Sequence, residues 1–131
     1  MPPRLRVKSG YPFEDLYGYC RAVRAGDLVF VSGTTARGSA LEGDAYVQAQ
    51  AAIETVAGAL QEAGAALADV VRTTAYVVDM AEISDLARAH REAFGAAPPA
   101  STVVQVAALT PPEARVELEV TAVVIRPSEG E

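Results

Sequence analysis

The stretch "PPASTVVQVAAL", residues 98–109, decides how this chain folds. Pro98 and Pro99 halt whatever precedes them, because proline cannot continue a helix. Ser101 and Thr102 then open a run in which Val103, Val104, Val106, Ala107 and Leu109 leave Gln105 as the only strongly polar side chain. A half-exposed strand alternates apolar and polar residues, whereas this run is apolar on both faces, as doubly covered strands are. The pattern predicts a strand buried on two sides with two hydroxyls at its entrance.

Working outward, residues 115–125 alternate at first, with Val116, Leu118, Val120 and Ala122 on one face and Arg115, Glu117, Glu119 and Thr121 on the other. Upstream, Ile83, Leu86, Ala87, His90 and Phe94 form the apolar stripe of a helix over about 82–94, stopped by Gly95. Residues 70–78, VVRTTAYVV, are rich in β-branched side chains and predict a strand. Asp44 is a fitting N-cap for a helix over roughly 45–63, and Gly64 a fitting residue just past its end. Residues 17–24 (YGYCRAVR) and 28–32 (LVFVS) predict two strands joined by a tight turn at Gly26-Asp27, and residues 36–43 a polar loop. The ends, 1–9 and 127–131, predict frayed tails around a single domain spanning 1–131, with a core of about 10–126.

The resulting order is β-β-α-β-α-β-β, an α+β domain with two helices on one face of a mixed sheet. Two helices cover one face only, yet LVFV and VVQVAA are apolar on both. Large exposed apolar patches are rare on monomers, so the second face is expected to meet another copy in a homo-oligomer of rotational symmetry.

Composition narrows the function. Charged residues make up 21% of 131 and the net charge is −6, with one lysine and no basic cluster, which sets the chain against a nucleic-acid partner. One cysteine, Cys20, allows no internal disulfide and fits a reducing, cytoplasmic setting. No signal peptide and no membrane-spanning apolar stretch is expected. One His and one Cys, far apart, make a metal site improbable, and neither a phosphate-binding loop nor a dinucleotide fingerprint is present, so no cofactor is expected. His90 lies on an apolar stripe and reads as a packed, hydrogen-bonded core residue rather than a partner of Cys20.

Glu117 and Glu119 project from one strand face. If that face meets a partner copy, a carboxylate there is desolvated, has a raised pKa and can activate a water. The spacing does not distinguish the two. Ser32-Gly33 ends a strand where a glycine would let a ligand approach the backbone. Tyr19 offers a hydroxyl on an apolar ring.

Taken together, YGYCRAV (17–23), VFVSG (29–33), QEAGAALADVVRTTAYVVDM (61–80), EAF (92–94) and PASTVVQVAAL…VELEV (99–120) resemble the RidA/YjgF family, over nearly the whole chain and in order. The resemblance implies a chorismate-mutase-like α+β fold, a homotrimer with small-molecule clefts between subunits, and hydrolysis of reactive imines and enamines to a carbonyl compound and ammonia without a cofactor. The alternative it carries is a trimer that binds a small molecule without turnover. It assigns the catalytic water to Glu117 and places Tyr19, Ser32 and Gly33 in the cleft, with Glu119 as the structural member of the pair. Ser101 stands where the family's active branch has an arginine that clamps the substrate carboxylate, and Val103 where that branch often has cysteine. Serine is too short and uncharged for that clamp. Arg88 falls where the active branch often has a cleft asparagine; its helical spacing from Asp85 and Glu92 reads first as a solvated arginine paired with them, and it is otherwise the first candidate for a substitute cation, ahead of Arg72 and Arg21.

Overall fold

The computed structural model describes residues 4–125. Its elements are β1 (Leu5–Val7), α1 (Pro12–Tyr17), β2 (Ala22–Ala25), β3 (Leu28–Thr34), α2 (Ala45–Glu62), β4 (Val70–Val77), α3 (Ile83–Phe94), β5 (Ala100–Gln105) and β6 (Val116–Val123). The expected β-β-α-β-α-β-β core is β2 through β6, and β1 and α1 are added in front of it.

Local chemistry starts and stops these elements. The Asp44 carboxylate accepts from the Val47 N–H at 2.9 Å, capping α2. Ala25 pairs with Leu28 across a two-residue turn. Gly26 has φ +61° there, and among the described residues no non-glycine has positive φ, so the turn is of type II′. The strand order is β1-β2-β3-β6-β4-β5. The last strand thus inserts between β3 and β4, antiparallel to both, while β4 and β5 run parallel across the α3 connection.

β6 shows the expected alternation. Val116, Leu118, Val120 and Ala122 are buried beneath the helices with Val29 and Val31 of β3 and Val56 and Leu60 of α2. Glu117, Glu119 and Thr121 face the other way, together with Tyr76 of β4 and Leu28 and Phe30 of β3. Leu28 and Phe30 are 40% and 46% exposed, so the β3 part of this outer face is apolar and open in a single chain.

Three expectations are corrected. Residues 17–21 are not strand: Pro12 presets the first turn of α1, Glu14 and Asp15 favour its positive end, and Gly18 at φ +90° stops it. Residues 5–7 are not a frayed tail but pair antiparallel with β2, burying Val7; residues 127–131 lie outside the described residues. β5 is not covered by its own helices, since all six of its residues are exposed. Two helices of ~10 Å diameter span about four strands spaced ~4.8 Å apart, so an edge strand of this six-stranded sheet projects beyond them.

Replacing Asp44 by Ala removes a single cap bond and is expected to cost ~1 kcal/mol, read as a lower urea midpoint with unchanged slope.

Candidate functional site

The site begins with Arg21, a guanidinium with no exposed surface. A buried cation needs a counter-charge and a partner for each donor. Glu14 of α1, itself buried, supplies the charge at 3.3 Å. The remaining donors reach the Gly33 carbonyl at 2.6 Å, Thr34 Oγ1 at 3.0 Å, the Tyr19 hydroxyl at 3.0 Å and Ser9 Oγ at 3.3 Å. Ser9 in turn donates to Glu14 from both its backbone N–H and its hydroxyl. Burial opposes ionisation of Glu14, but the Ser9 hydrogen bonds and the Arg21 charge outweigh it and hold the carboxyl below its ordinary value.

This network holds the end of β3 where its pairing with β6 shifts register, between Val31 and Thr34. Gly33 lies in that irregularity. A Cβ there would fall 2.9 Å from the carboxyl carbon of Glu117 and 3.0 Å from one of its oxygens. The group that approaches this glycine closely is therefore the chain's own carboxylate. Burial pushes the Glu117 carboxyl above its ordinary range, the neighbouring Glu119 charge pushes the same way, and Arg21 pulls it back. Glu119 is tied differently: it accepts from the Tyr76 hydroxyl, and that bond first, then burial, pushes Tyr76 up to about 12.

Glu117, Gly33, Ser32, Tyr19 and Arg21 line one cavity of about 980 Å³, bounded by α1, by residues 35–41 after β3, and by residues 108–111. Its walls are largely aromatic and aliphatic. Phe13 and Tyr17 stack at 5.5 Å, and Tyr19 stands edge-on to both. Ser32 donates its hydroxyl proton to the Cys20 carbonyl at 2.7 Å.

Ser101, Val103 and Arg88 are elsewhere. Ser101 pairs with Thr73 and accepts from its hydroxyl at 2.7 Å, on the helix side of the sheet. Thr73 also bonds His90 Nε2 at 2.9 Å. Glu117 projects from the opposite face, so within one chain Ser101 and Glu117 do not meet. Val103, opposite Ala75, shares the Ser101 side. Arg88 stacks on the Tyr46 ring at 3.6 Å, and the Tyr46 hydroxyl donates to Glu92 at 2.6 Å, so this arginine belongs to the helix layer. Arg72 bonds Thr102 at 2.8 Å and does not line the cavity. His90 is half-buried against Phe94, as expected of a packed histidine, and burial lowers its pKa. Cys20 donates instead to the Ala22 carbonyl. Among the described residues no group of three His, Cys, Asp or Glu side chains could hold a metal ion, and no helix is long and apolar enough to cross a membrane.

The chain matches the family described as Endoribonuclease L-PSP over residues 13–124. It belongs to the RidA/YjgF family. A Mycobacterium tuberculosis member of the YjgF/YER057c/UK114 family superposes with TM-score 0.86 at 44% identity, covering 92% of this chain and 99% of that one. A RutC family protein of Pyrococcus abyssi is 33% identical over 79% of this chain and 84% of its own. The 2-iminobutanoate/2-iminopropanoate deaminase of Salmonella typhimurium is 32% identical over 80% of this chain and 86% of its own. The α+β, chorismate-mutase-like fold of the RidA/YjgF family is thus the fold of this chain.

Three residues that shape this RidA/YjgF cavity have no place in the expectations from sequence, Tyr11, Glu14 and Arg37, and Arg21 proves to be a buried organiser rather than a substitute cation. Pro12 and Gly18, which bracket a six-residue helix, were the available signal, since proline at the first position and glycine just past the last delimit helices. Nothing in the sequence pattern announces that Arg37, beyond β3, reaches the same cavity.

Arg21→Met leaves Glu14 buried without its counter-charge and is expected to destabilise the protein by ~3–5 kcal/mol in chemical denaturation. Because the folded-state pKa of Glu117 lies above its unfolded value, its protonated form contributes stability that is present at low pH and lost as pH rises from 4.5 through the folded pKa. Glu117→Gln should flatten that decline, and denaturation midpoints of variant and wild type that stay parallel across this window would contradict it.

Proposed function

We propose that this RidA/YjgF chain hydrolyses reactive imines or enamines to a carbonyl compound and ammonia, in the cytoplasm, with Glu117 activating the water. The single observation that carries the reading is the desolvated Glu117 carboxylate resting on Gly33 in an aromatic cavity. A carboxyl raised above its ordinary range is a better base near neutrality than an exposed one. It takes a proton from water as the oxygen adds to the carbon of C=N. Protonated Glu117 returns that proton to the nitrogen, giving a carbinolamine. Glu117 then takes the hydroxyl proton and delivers it to the nitrogen as the C–N bond breaks, releasing ammonia and the carbonyl compound. A raised carboxyl suits both halves, accepting and returning one proton in each. The imine-deaminase name of the Salmonella relative supports the same chemistry. The family description also names an endoribonuclease, but a net charge of −6 opposes an RNA substrate.

The reading includes a homotrimer whose clefts lie between copies, with Tyr19, Ser32, Gly33 and Glu117 on one side and Ser101 and Val103 of the next copy on the other. It is supported by the open apolar β3 part of the outer face, by the uncovered β5, and by the placement of Ser101 and Glu117 on opposite faces of one sheet. A solution mass equal to one chain would remove this part.

Imines generated in situ by an amino-acid or amine oxidase provide the assay, with ammonia or carbonyl release as the readout. Glu117→Gln is expected to lower the protein-dependent rate by about a hundredfold or more. If wild type, variant and buffer release product equally for every imine, the hydrolase reading fails and a non-catalytic binding trimer stands in its place. Ser101→Arg is expected to gain weak turnover of 2-aminoacrylate, and no gain would mean that the cleft differs from the active branch in more than this side chain.

A further inference from the structure

Ser101 replaces the family's clamp, and Arg88, Arg72 and Arg21 are each committed to another partner. One cation in the cavity differs from these. Arg37 is exposed, lines the same cavity as Glu117, and among the described residues has no carboxylate in ion-pair range. Its guanidinium lies 3.0 Å from the centroid of the Tyr11 ring, and one N–H reaches the Ser9 carbonyl at 3.5 Å. Tyr11 is itself held in place. Its hydroxyl donates to the Thr35 carbonyl at 3.1 Å, and Arg21 stands 4.4 Å from the ring centroid. Tyr11 thus lies between two guanidiniums, of which Glu14 neutralises only one.

An uncompensated guanidinium on a chain of net charge −6 is a local exception to the field of the molecule. Stacking on Tyr11 limits its rotamers, which lowers the entropy lost when an anion binds its fork. The adjoining wall is a cluster of three rings, Phe13, Tyr17 and Tyr19, and Tyr17 is 75% exposed. A cavity of about 980 Å³ is at the upper end of what drug-sized ligands occupy, far larger than a three-carbon substrate requires.

We propose that Arg37 is the anion-binding residue of this cavity, and that the ligand carries a carboxylate on an apolar, ring-sized body. The carboxylate sits at Arg37 and the ring against Phe13, Tyr17 and Tyr19. A monoanion fits the site better than a phosphate dianion, because one guanidinium forks onto one carboxylate and the surrounding charge is negative. The assignment deepens the proposed function, since it rests on the same cavity being the ligand site, and makes the substrate an imine of an aryl-bearing amino acid.

The test is equilibrium binding, which needs no turnover. Phenylacetate and its uncharged analogue phenylacetamide are titrated against full-length wild type, Arg37→Gln and Arg37→Lys, by tyrosine fluorescence and calorimetry. Phenylacetate should bind wild type at least about tenfold more tightly than phenylacetamide; Arg37→Gln should erase that preference, and Arg37→Lys should keep part of it. Equal affinities of the two probes for wild type, a preference that survives Arg37→Gln, or no binding of either probe would each overturn the proposal. Selective phenylacetate binding without imine hydrolysis would remove the hydrolase reading and leave Arg37 as an anion site. Hydrolysis without charge selectivity would do the reverse.

Discussion

A positive charge enclosed in the fold organises the candidate site. Arg21 cannot be solvated, so the structure around it must supply both a carboxylate and enough acceptors to satisfy a five-donor fork. Those acceptors come from four separate places: Ser9 after β1, Glu14 on α1, Tyr19 beyond the helix, and Gly33-Thr34 at the end of β3. Satisfying one side chain therefore ties the N-terminal segment to the sheet. It also fixes the backbone on which Glu117 rests. A lysine, with three donors about a single point, would not reach the same set.

The two glutamates of β6 show how neighbours on one strand acquire different chemistry. Both leave the sheet on its outer face, two residues apart. Glu119 accepts from the Tyr76 hydroxyl, and that bond pushes the phenol up to about 12. Glu117 meets a glycine and a hydrophobic cavity, and its ionised form is poorly compensated. The contrast, one carboxylate bonded and one desolvated, is a common way for a pair of like groups to be divided between structure and chemistry.

Much of the fold was readable because its pattern is local. The Asp44 cap, the Gly26 turn, the α3 stripe that ends at Gly95 and the strict alternation of β6 are each encoded within a few residues. Resemblance across YGYCRAV, VFVSG and VELEV drew Tyr19, Ser32, Gly33 and Glu117 together, and those four do line one cavity. The departures in the N-terminal region fall where short segments have no period to show. A three-residue strand and a six-residue helix are too brief for hydrophobic periodicity, and only Pro12 and Gly18 marked the latter.

The sequence by itself determined the order and type of the long elements, the buried face of β6 and the family, because apolar period and capping act over short spans of chain. Tertiary structure alone decided the rest. It placed Ser101 and Glu117 on opposite faces, sent Arg88 to Tyr46, closed Arg21 on Glu14, and brought Arg37 onto the ring of Tyr11. Each of those outcomes depends on which distant segment lies alongside, and on how a charge without water finds its partner. Neither is written in the spacing of residues along one strand. The stretch at 98–109 illustrates both halves. Its composition announced a strand, while its place at the sheet edge, beyond the reach of two helices, came from the packing.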